Sequence, residues 1–152
     1  MTMQIHVVAV MRIGALLTIM GMLVPWVTTS QATLSGIDIA GGSLMWHQPD
    51  LYLVILCAAA VLVSAGLIMR ANIVRWLSVG MSLLPFCLCA AFLAQGRAVP
   101  MGDGYISLFD GAAGFHLGPG SIVSVVGCLI MIAGMVLVSE GVRQRHIVED
   151  FI

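Results

Sequence analysis

A chain of 152 residues that is 61% hydrophobic, 9% charged and of formal net charge −1 carries more apolar surface than a soluble core of that size can bury. The balance of charge argues against a nucleic-acid partner, which needs a basic patch, and all six cations are arginines. A single membrane domain over residues 1–152 is the reading that follows.

Four apolar blocks organise the chain: Val7–Val27, Leu51–Met69, Trp76–Gln95 and Ser121–Ser139. Each approaches the ~20 residues that a helix needs to cross the hydrocarbon core. Arg12 is the one charge inside a boundary. Together with Ile13–Val24 and Ser30-Gln31-Ala32 it imitates a signal peptide, although an uncleaved first helix is the expectation. The first block ends at Trp26, which is expected at the outer interface, as is Trp46. Between the first two blocks, the loop 28–50 holds a β-forming run, Thr33–Ile39, that predicts a short strand.

The second and third helices are joined only by Arg70–Arg75 and form a tight hairpin, with Trp76 at the inner interface. Pro85 falls in the middle of the third helix, where it removes a backbone hydrogen bond and predicts a kink. Ser82 is placed to re-satisfy the freed carbonyl. The loop 96–120 carries strand-like runs at Gly104–Phe109 and Phe115–Leu117, with a turn over Asp110–Gly114. Strands from both loops are expected to pair into a small extracytoplasmic cap, with Ile106, Phe109 and Phe115 available to a partner. Leu117-Gly118-Pro119-Gly120 starts the last helix, with Ser121 as its expected cap.

Arginines set the orientation. Arg12, Arg70, Arg75, Arg143 and Arg145 lie at one end of the blocks, while the long loops hold Arg97 against Asp38, Asp50, Asp103 and Asp110. Positive charge is retained inside, so both termini are expected in the cytoplasm of a bacterial cell. Small residues recur at helical spacing: Gly14 and Gly21 in the first block, Gly127 and Gly134 in the fourth, with Ala60, Ser64 and Gly80 between. Such stripes let helix backbones approach closely. The fold class expected is an all-α four-helix membrane bundle with a β-structured cap.

Leu23-Val24-Pro25-Trp26-Val27, Ser35-Gly36-Ile37-Asp38 and Gly118-Pro119-Gly120 resemble a recurrent pattern in a family of small bacterial four-helix membrane proteins. The resemblance implies four helices and outer loops, and brings no activity with it. The layout is also similar to that of claudin-like tetraspans, though the extracellular cysteine pair of those proteins is missing.

Chemistry is sparse. Cys57, Cys87, Cys89 and Cys128 all fall within predicted spans, where cysteine behaves as a small hydrophobe, and Cys87-x-Cys89 lacks dithiol spacing. His47 and His116 lie near Asp50, Asp103 and Asp110 but without metal-ligand spacing, and no histidine lies mid-span to hold haem. No nucleophile motif or phosphate loop is present. No catalytic residue, metal or cofactor is therefore expected. The leading expectation is a non-catalytic accessory or scaffolding subunit, whose partners are the lipid bilayer and other integral membrane proteins or further copies of itself. The alternative is a small transporter or channel subunit, whose path would need Thr18, Ser64, Ser78, Ser82 and Ser124.

Overall fold

The computed structural model describes residues 2–28, 33–41, 49–67, 72–95, 99–101, 104–106 and 116–149, with side chains over 6–28, 33–41, 49–67, 73–94 and 116–138. Helix α1 (Thr2–Leu23) stops four residues before the expected end of the first block. Its last backbone bond runs from the Val24 N–H to the Met20 carbonyl. Pro25 then has no N–H to give, and it disfavours helical backbone at Val24. The chain turns instead into strand β1 (Pro25–Thr28).

β1 is the centre of a three-stranded antiparallel sheet. On one side lies β2 (Thr33–Ser35), with a register shift between Pro25 and Val27; on the other lies β5 (His116–Leu117). The strands from the two long loops do not pair with each other: β2 and β5 each pair with β1, which continues from the end of the first apolar block. The expected strand over Thr33–Ile39 is cut short at Ser35, where helix α2 (Gly36–Ala40) begins. The cause is a reciprocal cap. The Asp38 N–H donates to Ser35 Oγ at 3.2 Å, while the Ser35 N–H and hydroxyl donate to Asp38 Oδ2 at 2.9 and 2.7 Å. Two otherwise orphaned donors are satisfied at once.

Those donations, first from the Ser35 N–H and then from its hydroxyl, hold the Asp38 carboxyl below its ordinary value of 3.8. The folded state therefore prefers the carboxylate. Its contribution is complete above the ordinary value and is lost as the pH falls through the lower, folded one. Ser35→Ala is expected to cost about 1 kcal/mol. That loss should appear in denaturation at neutral pH and shrink in acid below the folded-state pKa of Asp38.

Helix α3 (Leu51–Ser64) ends five residues short of Met69, with a turn over residues 65–67. Helix α4 (Asn72–Gln95) starts before Trp76 and ends as expected. Strands β3 (Val99–Met101) and β4 (Gly104–Ile106) make a separate two-stranded ladder. Helix α5 (Pro119–Glu149) runs well past Ser139. It opens on Pro119, whose missing N–H costs nothing in the first turn. Ser121 is therefore not the cap; its hydroxyl donates to the Gly118 carbonyl from inside that turn. The turn over Asp110–Gly114, and Trp46, His47, Phe109 and Phe115, lie outside the described residues.

Among the described residues, three helices are long and apolar enough to cross a membrane, over His6–Leu23, Ile73–Ala94 and Pro119–Val138, whereas α3 is a shorter apolar helix. The long helices and α3 form a ring: α1 packs on α5 and α3, and α4 packs on α3 and α5. One apolar cluster lies towards the sheet, around Trp26, Ile39, Leu51 and Phe92. The other fills the opposite half, around Met11, Val61, Ala65 and Met131.

Candidate functional site

The most extensive contact in the molecule is the seam between α1 and α5, and glycine makes it possible. A Cβ on Gly127 would meet the Thr18 backbone nitrogen at 2.5 Å and the Gly14 carbonyl oxygen at 2.7 Å. One on Gly14 would meet the Met131 nitrogen at 2.7 Å, and one on Gly21 would strike the Ser124 nitrogen at 2.5 Å. At these points backbone faces backbone, so no side chain larger than hydrogen fits. Gly134 differs, because the atom it would meet at 2.5 Å is Cγ of the flexible Met11 side chain. Gly80 differs again: it is exposed, and a Cβ there would meet no atom of the described residues within 4 Å.

Hydroxyls line the seam and are largely consumed by backbone. Thr18 Oγ1 donates to the Gly14 carbonyl at 2.9 Å, and Ser124 Oγ reaches across from α5 to the Thr18 carbonyl at 3.3 Å. On α4, Ser78 Oγ donates to the Val74 carbonyl and Ser82 Oγ to the Ser78 carbonyl. Ser82 therefore serves a carbonyl one turn below the Met81 carbonyl that Pro85 frees. Ser64 Oγ has no hydrogen-bond partner among the described residues.

One layer of the bundle brings side chains from all four helices together. Thr18 Oγ1 lies 3.7 Å from Cys128 Sγ. The Cys89 thiol is within hydrogen-bonding reach of Cys128, and Cys57 approaches Cys128 from α3. Thr18, Cys89 and Cys128 are fully buried, whereas Cys87 faces outward. Thiols are weak donors and acceptors, so this layer is a chain of soft polar contacts closing on the Thr18 hydroxyl. Among the described residues, no three His, Cys, Asp or Glu side chains are placed to hold a metal ion.

At the sheet end, Trp26 is wholly buried rather than presented to headgroups. Its indole N–H donates to the Gly21 carbonyl at 2.9 Å, and its ring meets Phe92 at a centroid distance of 5.0 Å, tilted by 60°. Trp76, by contrast, is 76% exposed. His116 is exposed on β5, opposite Thr28. Ile106 sits in β4, paired with Val99. Pro85 is buried within α4.

Sequence spacing found the glycine stripes but missed the thiol layer. The available signal was that Cys89 and Cys128 each lie well inside an apolar block. Nothing local showed that the two helices would set them face to face. No family model matches this chain, and no curated protein or solved structure matches it.

Proposed function

We propose that the chain is a non-catalytic accessory subunit of a larger membrane protein assembly, crossing the bilayer four times with both ends in the cytoplasm of a bacterial cell. On this reading the three-stranded sheet caps the outer face. One observation carries the reading: Gly80. Glycine inside a helix costs about 1 kcal/mol relative to alanine. At Gly14, Gly21 and Gly127 that cost is offset by close backbone contact within the chain. Gly80 stands on an exposed apolar face of α4 with Trp76, Leu77, Leu83 and Leu84, and none of the described residues fills the space above it. A helix from another protein, seated in that notch, supplies the missing reason. The hydroxyls of Thr18, Ser78, Ser82 and Ser124 all donate to helix carbonyls, which supports a packing role over a polar pathway.

The test separates fold from partnership. Gly80→Leu is expected to leave the detergent melting temperature of the purified chain unchanged or slightly higher, because no neighbour is displaced. The same variant should lose the companion protein that co-purifies with the native chain in mild detergent. A native chain that purifies alone, or a companion retained by Gly80→Leu, removes the basis of the reading.

Orientation is tested independently. In a cysteine-free background, a cysteine at Ser35 or Gly104 should react with an impermeant thiol reagent in intact cells, and one at Asn72 or Gln144 should not. Labelling at Asn72 overturns the arginine-based topology.

A further inference from the structure

The outward apolar bands of the four helices differ in height. In α4 the stretch Ile73–Ala94 holds 22 residues and in α5 Pro119–Val138 holds 20, about 33 and 30 Å, which matches the hydrocarbon core. Helix α3, at 14 residues, spans only about 21 Å. Helix α1 is long, but its outward apolar band is short. Among its described side chains the large exposed apolar ones are Ile13, Leu16, Met20 and Leu23, all on the sheet side of Arg12. From Ile13 to Leu23 that band covers about 16 Å. Arg12 is itself exposed, and the exposed described positions before it are His6 and Ala9.

The two short bands end together. The Arg12 guanidinium lies 3.8 Å from where a Cβ on Gly66 would sit, in the turn that follows α3. The last carbonyls of a helix lack intrahelical partners and favour a cation, so a polar level forms where both bands stop. Helices α1 and α3 are neighbours, as are α4 and α5, so short bands occupy one side of the ring and long bands the other. The α1–α5 seam measures the step between them. Met11 faces Gly134, Thr18 faces Gly127 and Gly21 faces Ser124, so the two helices run antiparallel in constant register. On that register Ile13 is level with Ile132. Helix α5 stays apolar and exposed at Val136 and Leu137, the latter about 7 Å past that level. Backbone contact along the seam stops either helix from sliding to remove the step, and a mismatch the helices cannot relieve falls to the lipid.

We propose that the protein holds a step in the bilayer: the leaflet away from the sheet is thinned beside α1 and α3 and keeps its full depth beside α4 and α5. The α1–α3 side is thus a surface for thinned bilayer. Headgroups descend there to the level of Arg12, whose exposed guanidinium meets them, and to the end of α3. On the opposite side, headgroups at that depth would leave Val136 and Leu137 in water, so the lipid stays thick. The inference rests on the four-crossing reading, and not on the accessory role.

The experiment reconstitutes the full chain, in a cysteine-free background, in phosphatidylcholine vesicles with a spin label at Ile13→Cys or at Leu137→Cys. Depth is read from relaxation by oxygen against relaxation by a water-soluble nickel complex. Both labels are expected at the same shallow depth, just inside the hydrocarbon. In a flat bilayer they differ by about 7 Å, with Ile13 deep or Leu137 in water, and either result overturns the step. Arg12→Leu extends the α1 band and should carry the Ile13 label deeper; an unmoved label overturns the part given to Arg12. A second measurement needs no label. The native chain is melted in vesicles of monounsaturated chains of fourteen, eighteen or twenty-two carbons. It should lose more melting temperature from eighteen to twenty-two than from eighteen to fourteen, and Arg12→Leu should reduce that asymmetry. Equal losses in the two directions overturn the proposal. Failure of the four-crossing reading shows separately, as reagent labelling that places Ser35 and Asn72 on one side of the membrane.

Discussion

Trp26→Ala is expected to destabilise the folded protein by about 3–5 kcal/mol, the range for truncating a large buried aromatic side chain. The residue is fully buried and joins three parts of the molecule. Its indole N–H satisfies the Gly21 carbonyl near the end of α1, its ring packs against Phe92 on α4, and its backbone carbonyl accepts from the Gly118 N–H just before α5. Gly36 and Gly120 also approach the ring closely enough that a Cβ on either would press on it. Trp26→Phe retains much of the volume but leaves the Gly21 carbonyl without its side-chain donor, and should cost less. The measurement is thermal or denaturant unfolding in a fixed detergent. Equal stability of the alanine variant and the native protein would mean that the ring lies at the outer interface, where the sequence alone suggests it.

Gly127→Ala is expected to cost about 1–3 kcal/mol, and Gly127→Leu more, because the added atoms press on backbone that cannot move without parting α1 from α5. Gly14→Ala should behave alike. Gly134→Ala should be milder, since the atom it meets first is Cγ of the flexible Met11 side chain and not main chain. Val136→Leu, on an exposed position of the same helix, should change little. This grading is the informative part. Spacing alone treats Gly127 and Gly134 as equivalent, and an equal loss at both would show that the seam is set by general crowding rather than by backbone contact.

Much of the helical architecture was legible because its signals are local. Apolar blocks, Pro25 and Pro119 are visible within a turn or two of the places they act, and α4 ends where its apolar block ends. What escaped depended on partners distant in sequence. Trp26 follows a span and so reads as an interfacial residue; only the return of β1 against β5 turns its ring inward. Cys87 and Cys89 point in different directions on any helix, but which one meets Cys128 depends on how α4 sits against α5. The short strand ending at Ser35 shows a further limit. Ser35-Gly36-Ile37-Asp38 carries a helix-starting pattern in plain view, yet a helix of five residues is too short to show an apolar periodicity among the β-forming residues around it. Gly80 shares its spacing class with the packing glycines, and only the empty space above it separates the two kinds.

The pairing of first and last helices also carries a consequence for biosynthesis. A ribosome delivers α1 and β1 well before α5, the principal partner of the helix, and β5, the second neighbour of the strand. Until then α1 waits in the bilayer with its glycine groove filled by acyl chains, and one edge of β1 stays open to any passing strand. The nascent chain is therefore a half-built product for most of its synthesis. A message truncated before Pro119 would yield a protein with every earlier helix present and its longest seam exposed. Membrane quality control has a clear mark to read in such a product: a glycine-lined helix that has not found its mate.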